Sequence, residues 1–268
     1  MPGAEHAKIH VERLSHSYVR DGETVTALED INLSVAPGEL VSIVGPSGCG
    51  KTTLLSIVAG FLQPSAGDVR VAGASVSGPG RDRGVVFQSF ALFNWLTVQE
   101  NIEFGPRMRG VPARERRERS EKLLAMVGLT RFRNRYPYEL SGGMKQRTAI
   151  VRSLANDPEI LLMDEPFGAL DAQSREMMQE ELVRIWQSSG KTILFVTHSI
   201  DEAIYLSSRV VVFTFRPGRI KHVLDVHFAG ERFDPHVRTG SEFVRAKASI
   251  LDMVREETLK QFKAEGQA

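Results

Sequence analysis

Residues 40 to 53 read Leu40-Val41-Ser42-Ile43-Val44-Gly45-Pro46-Ser47-Gly48-Cys49-Gly50-Lys51-Thr52-Thr53. A short apolar run ends at a glycine, as a buried parallel strand does. Gly45, Gly48 and Gly50 then let the backbone curl so that successive N–H groups point inward, toward phosphate oxygens. A helix opening near Lys51 adds its positive dipole end. Lys51 can reach the outer phosphates of a nucleotide, and the Thr52 hydroxyl can ligate Mg2+. The stretch is a P-loop, and it predicts a strand, a loop and a helix of an α/β fold.

Working outward, residues 8–44 read as strands, with a charged, Gly-containing turn at Arg20-Asp21-Gly22-Glu23. Ile31 to Val35 alternates, and Pro37-Gly38 turns the chain. Leu54 to Phe61 continues the first helix, which Pro64 stops. Val85-Val86-Phe87 reads as a strand ending at Gln88. From 97 to 156 the pattern is helical, with Gly105-Pro106, Gly110 and Pro137 as breaks. Arg114–Arg119 alternates in sign, as a solvated helix face does. Ile160–Met163, Thr192–Val196 and Val210–Phe213 are further buried-type strands, with a helical stretch over Gln173–Gln187. Strand, helix, strand order argues for a mostly parallel sheet covered on both faces. The tail from 226 is more polar. It holds one amphipathic helix, Phe243 to Phe262, with Ile250, Leu251 and Val254 on a stripe.

The chain has 268 residues and a formal net charge of +1, which gives no general pull toward nucleic acid. Cys49 is the single cysteine, so no intrachain disulfide forms, in keeping with a reducing compartment. No apolar stretch approaches the ~20 residues of a membrane-spanning helix. The start Met1-Pro2-Gly3-Ala4-Glu5-His6 lacks the layout of a secretory signal. Work at a membrane is therefore expected from the cytosolic side, through a partner.

Four further polar elements stand at strand ends or helix starts. Asp164-Glu165 follows the apolar strand Ile160–Met163. Asp164 is placed for an Mg2+ shell, and Glu165 to orient or deprotonate a water. Ser141-Gly142-Gly143 opens a helix. Ser141 is a good N-cap and the glycines expose helix N–H groups, although alone the run is equally an ordinary capped helix. His198 follows Phe195-Val196-Thr197, and Gln88 ends its own strand. Each is ambiguous by itself. In a parallel sheet the carboxyl ends of the strands share one edge, where ligands bind. That common location joins the P-loop, Gln88, 141–143, 164–165 and His198 into one constellation.

In these motifs, in their order, the sequence resembles the nucleotide-binding subunits of ATP-binding cassette (ABC) transporters over roughly residues 8 to 222. The resemblance makes 45–53 the Walker A motif and 160–165 the Walker B. Leu140–Met144 matches the family signature, with Met144 where many members have Gln. It implies Gln88 as an Mg2+ and water contact that also senses the permease, and Glu165 as general base. His198 would contact the γ-phosphate, and Asp171 would belong to the loop Ala169-Leu170-Asp171. Tyr18 sits where an aromatic residue stacks on adenine. Gly84–Gln88, Trp95–Val98, Leu140–Arg147, Asp164–Leu170 and Arg216–Ile220 are narrower. They resemble importer ATPases of the nitrate, sulfonate, taurine and bicarbonate group. Asn94, Ser199, Val151 and Ser153 depart from the usual residues without removing a catalytic group.

The resemblance implies a RecA-like core within 8–225, an antiparallel β subdomain, and an inserted helical subdomain near 89–156. The tail 226–268 carries no motif. ATP and Mg2+ are the expected cofactors. The expected partners are a second copy in a head-to-tail homodimer, a membrane permease docked near Phe90 to Trp95, and through it a solute-binding protein. The expected location is peripheral, at the cytoplasmic face of the cell membrane. The rival is a soluble ABC ATPase acting on nucleic acid or the ribosome. Such proteins usually carry coiled-coil insertions or two cassettes, and neither occurs here. A GTPase would show Asn-Lys-x-Asp, which is absent.

Overall fold

Every residue of β3 (Leu40–Val44) is buried. In this computed structural model, residues 7–20, 22–228, 237–264 and 266 are described. The N-terminal run Met1–His6 and Asp21 of the first turn lie outside them. The chain divides into two units, one of Met1–Gly80 with Trp186–Ala268 and one of Arg81–Ile185.

In the first unit β3 lies between β8 (Thr192–Val196) and β9 (Arg209–Phe213), parallel to both. Every residue of β8 and β9 is buried as well. That is why these strands read as nearly continuous apolar runs, with Ser42, Thr192 and Arg209 the exceptions: a parallel sheet covered on both faces leaves no solvent side for polar residues. β10 (Ile220–Asp225) pairs antiparallel to β9. A separate antiparallel sheet holds β1 (Ile9–Arg20), β2 (Glu23–Val35), β4 (Ala66–Val71) and β5 (Ala74–Ser75), in the order β2-β1-β4-β5. The β1 register shifts between Val11 and Leu14. With Arg13 at φ +45°, that shift keeps Val11 and Leu14 both buried despite their odd spacing.

Helix α1 (Lys51–Ala59) follows β3. It stops earlier than Pro64 requires, because Gly60 takes φ +82° and its N–H bonds the Ile57 carbonyl. A methyl group there would sit 2.1 Å from the Gly78 carbonyl oxygen.

The second unit pairs β6 (Arg83–Val86) parallel to β7 (Ile160–Asp164). Between them run α2 (Val98–Met108), α3 (Ala113–Met126) and α4 (Gly142–Leu154), and α5 (Ala172–Ser189) follows β7. Val98, Ile102, Leu124, Val127, Leu129, Leu140, Val151 and Ala155 form the core under the three helices. Thr97 caps α2 in a reciprocal box with Glu100. The expected break at Gly105-Pro106 does not occur, and Pro106 is inside α2. It falls in the last turn, where only one carbonyl loses its partner and the helix ends two residues later. Gly105 is small because α4 ends against it: a methyl group would lie 2.1 Å from Asn156 Oδ1. Arg114 pairs with Glu118 at 2.9 Å on an exposed face of α3, as the sign alternation indicated.

The last two helices belong to the first unit. Helix α6 (Ile200–Leu206) and helix α7 (Ser241–Ala264) pack on each other, and α7 also packs on β9. The expected C-terminal helix is present, but its buried positions are Phe243, Ile250 and Glu257, at seven-residue spacing. Leu251 and Val254 are only half-buried. Among the described residues no helix is long and apolar enough to cross a membrane.

One buried ion pair ties β9 to the turn before β3. Arg209 faces Glu39 with Nε 2.9 Å from Oε1 and Nη2 2.9 Å from Oε2. Its Nη2 also donates to the Ser34 carbonyl at 2.5 Å. Breaking a buried pair from one side leaves an uncompensated charge. Glu39→Ala is expected to lower unfolding free energy by ~3–5 kcal/mol, read from urea denaturation.

Candidate functional site

The first unit holds the glycine loop 45–50 that the sequence reads as a phosphate cradle. Gly45, Gly48 and Gly50 have φ of +158°, +70° and +96°. The last two lie in the left-handed region that side chains disfavour. A methyl group on Gly50 would lie 2.6 Å from Leu28 Cδ2 and 2.8 Å from the Ala27 carbonyl oxygen. The carbonyls of the loop are satisfied from outside it. Lys51, itself buried, donates its Nζ to Gly45 O at 2.9 Å and Pro46 O at 3.0 Å. Arg216 Nε donates to Gly48 O at 2.9 Å. Leu54 N donates to Gly50 O at 2.9 Å.

Helix α1 starts with no side-chain cap and no acidic residue in its first turn. Its positive end is therefore offset by nothing of its own, which suits an anion. Pro46 and Cys49 are buried, while Ser47, Gly48 and Thr52 are exposed. Burial pushes the Cys49 thiol up, with the nearby Lys51 ammonium opposing. Tyr18 is 42% exposed, and its hydroxyl lies 3.1 Å from Thr53 Oγ1. The tyrosine thus stands at the first turn of α1, with its ring edge-on to His16. His198 is exposed two residues past β8. Since Val196 stands beside Ile43 in the register, His198 lies on the edge where β3 runs into the P-loop. Ser199 caps α6 by accepting from Glu202 N, and Thr197 Oγ1 donates to Glu202 Oε2 at 2.6 Å, so both neighbours of His198 are fixed.

The second unit holds the carboxylates. Asp164 closes β7, and Glu165 follows at φ +42°. A non-glycine in that region is strained, and such strain concentrates at functional sites. Val86 and Met163 are register partners, so Gln88 and Glu165 leave their strands on the same edge. A methyl group on Gly168 would lie 3.5 Å from Gln88 Nε2 and 4.0 Å from Glu165 Oε2. The two side chains therefore flank one point. Ser141 caps α4 by accepting from Met144 N. A methyl group on Gly142 would lie 3.6 Å from the Ala169 carbonyl oxygen, and one on Gly143 would lie 3.8 Å from Ser174. Asp171 accepts from Ser174 N at 3.0 Å, and that bond holds its carboxyl below the usual value.

Each unit carries oxygen donors of the kind a hard cation takes: a hydroxyl at Thr52 in the first, and the Asp164 carboxylate and Gln88 amide oxygen in the second. Among the described residues no group of three or more His, Cys, Asp or Glu can hold a metal on its own. Few protein oxygens, with phosphates completing the shell, is the pattern of Mg2+.

Sequence reasoning gave no structural role to two arginines, Arg152 and Arg216, the latter named only within the Arg216–Ile220 segment. Arg152 on α4 donates to the carbonyls of Phe90 and Ala91 and lies 5.6 Å over the Phe93 ring. Phe90 and Ala91 both have positive φ, +62° and +49°, so Arg152 holds a strained turn just after Gln88. Burial pulls the Arg152 guanidinium down from its ordinary value. With Phe87, Phe93, Phe104 and Asn156 it lines a groove of ≈ 320 Å³. Trp95 beside this turn is 73% exposed, whereas Phe93 packs on Phe104 at 4.4 Å. The second arginine is Arg216, whose signal was its place just beyond β9, the strand beside β3.

A family model described as ABC transporter matches residues 28–168. An uncharacterized ABC transporter ATP-binding protein of Methanocaldococcus jannaschii is 53% identical over 96% of this chain and 94% of its own length. A taurine import ATP-binding protein of a Jannaschia species is 48% identical over 87% of this chain and 88% of its own. A solved dimeric ATP-binding cassette in a post-hydrolysis state, bound to ADP and Pi, is similar with a TM-score of 0.73 and 34% identity. It covers 82% of this chain and 99% of the cassette. The chain belongs to the ABC transporter family. It is an ATP-binding subunit and an ATPase, with the P-loop α/β fold of that class.

The glycines give an ordered expectation. At Gly48 an added methyl group meets only the movable Arg216 tip, 2.8 Å away, whereas at Gly50 it meets backbone. Alanine at either position adds left-handed strain of ~1–2 kcal/mol that glycine does not carry. Gly50→Ala should therefore weaken ATP binding more than Gly48→Ala, measured by calorimetric titration of the purified variants.

Proposed function

We propose that this chain powers uptake of a small anionic solute, of the taurine, sulfonate or nitrate type, as the ATPase of an importer. The observation that carries this reading is the 48% identity, over 87% of the chain, to a taurine import ATP-binding protein. A second such protein, from Roseobacter denitrificans, is similar to the same extent. Met144 and the Arg216–Ile220 segment support the same group.

In this reading the glycine loop 45–50, Lys51, Thr52 and Thr53 bind the ATP phosphates, and Tyr18 stacks on adenine. Thr52, Asp164 and Gln88 are the proposed Mg2+ ligands, and the ion would neutralise charge on the terminal phosphates. Glu165 takes the proton of the attacking water, and His198 contacts the γ-phosphate. Ser141, Gly142, Gly143 and Asp171 serve the ATP held by a second copy of the chain, in a head-to-tail homodimer. The dimeric cassette relative supports that arrangement.

Energetics favour two clamps over one. Moving an equilibrium from mostly open to mostly closed needs about 5.5 kcal/mol of differential binding. One exposed helix-terminus contact supplies only ~0.3–1 kcal/mol. Several charge-assisted bonds at two sites reach the required amount. ATP then closes the dimer and hydrolysis reopens it, which drives the permease. The groove at Phe87, Phe93, Phe104 and Arg152, with exposed Trp95 at its side, suits a cytosolic permease helix. The subunit would act at the cytoplasmic face of the membrane, and a solute-binding protein would reach it only through the permease.

Glu165→Gln keeps the shape of the base and loses its proton affinity. The expected outcome is retained ATP binding, an ATP-dependent dimer on size-exclusion chromatography, and turnover down by roughly 10²-fold or more. Wild-type turnover in that variant would remove Glu165 from its role.

A further inference from the structure

The P-loop is braced from outside by the turn between β9 and β10, and that turn is held by the C-terminal helix. A peptide is planar, so its carbonyl and its N–H point opposite ways. In a loop that turns N–H groups toward phosphate, the carbonyls face outward and need donors. For the Gly48–Cys49 peptide the donor is Arg216, whose Nε lies 2.9 Å from Gly48 O. Holding that carbonyl outward aims the Cys49 N–H inward. The same turn presses on the loop at Gly218, where a methyl group would lie 2.0 Å from the Cys49 carbonyl oxygen. Its backbone is tied to β2 by Gly218 N to Ala27 O at 2.9 Å and by Glu29 N to Gly218 O at 3.0 Å.

The residue before Arg216 leads to α7. Phe215 N donates to Glu257 Oε2 at 3.0 Å. Glu257 is 2% exposed and stands where the Phe243, Ile250 pattern calls for an apolar residue. A buried carboxylate is tolerated only when paired. Lys221 of β10 and Lys260 of α7 both bring Nζ to 2.7 Å from its Oε1. Burial pushes the Glu257 carboxyl up, but these lysines and the Phe215 N–H outweigh it and hold the group below its usual value. Glu256 bridges the same two lysines at 2.6 and 2.8 Å, and they lower its carboxyl to about 2.

We infer that Arg216 is a positioning residue for the phosphate cradle, and that the C-terminal helix sets Arg216 through Glu257. The tail then belongs to the nucleotide-binding machinery, although it carries no motif. This rests on ATP binding at the P-loop.

The test uses the full-length purified chain, with ATP affinity from calorimetry, KM and kcat from steady-state hydrolysis, and unfolding midpoint from denaturation. Arg216 is exposed, so Arg216→Ala should fold with an unchanged midpoint. It should weaken ATP binding and raise KM roughly tenfold, the scale of one charge-assisted hydrogen bond, with kcat nearly unchanged. Arg216→Lys, which can still donate, should recover part of the loss. Arg219→Ala removes the neighbouring pair with Glu29, at 2.7 Å, and should bind ATP as wild type does. Glu257→Gln should weaken binding about threefold, a fraction of one such bond, in the wild-type background and not at all in the Arg216→Ala background. Wild-type affinity in Arg216→Ala would overturn the proposal. So would an equal effect of Glu257→Gln in both backgrounds. A wild-type chain that bound no ATP would overturn the reading beneath it and the proposal with it, whereas binding in the wild type with unaffected variants would overturn the proposal alone.

Discussion

A loop that offers its N–H groups to an anion must turn its carbonyls away from it, and those carbonyls must be satisfied by the protein. Much of the first unit is arranged around this constraint. Lys51 reaches back to Gly45 and Pro46. Helix α1 supplies the donor for Gly50. Arg216 supplies the donor for Gly48. The buried sheet fixes where these donors originate, because β3, β8 and β9 are parallel neighbours whose following residues share one edge. Lys51 thus has a partner role in the structure itself, beside the phosphate contact that its motif implies.

The second unit meets a related constraint with strain instead of glycine. Glu165, Phe90 and Ala91 all take left-handed backbone conformations. Such residues persist where surrounding bonds over-determine them. At Phe90 and Ala91 the turn's own bonds, Phe90 N to Phe87 O and Ala91 N to Ser89 O, are joined by those from one side chain, Arg152. It projects from the helix that Ser141 opens, so its hydrogen bonds tie that helix to the turn after Gln88.

How much was legible in the sequence depends on the range of each interaction. Gly45 to Thr53, Asp164-Glu165 and the Ser141 cap are local, and their residue types follow from backbone needs a few positions away. The strands β3, β8 and β9 were legible because burial on both faces leaves a nearly continuous apolar run. Pro106 misled because its cost depends on where in a helix it falls, and it falls in the last turn of α2. Leu251 and Val254 were read as the buried stripe of α7, whereas the face that packs carries Phe243, Ile250 and Glu257. A buried glutamate breaks the apolar pattern that periodicity relies on.

The sequence by itself determined the chemistry. Glycines at fixed spacing, a Lys-Thr pair, two carboxylates after an apolar strand and a Ser-Gly-Gly turn are each recognisable from local backbone geometry. Tertiary structure alone decided what holds that chemistry in place. Arg152, Arg216 and Glu257 each satisfy a backbone group far away in the chain, and a backbone carbonyl or N–H is the same at every residue. No residue type marks the partner it will receive, so only the fold shows which side chain serves which peptide.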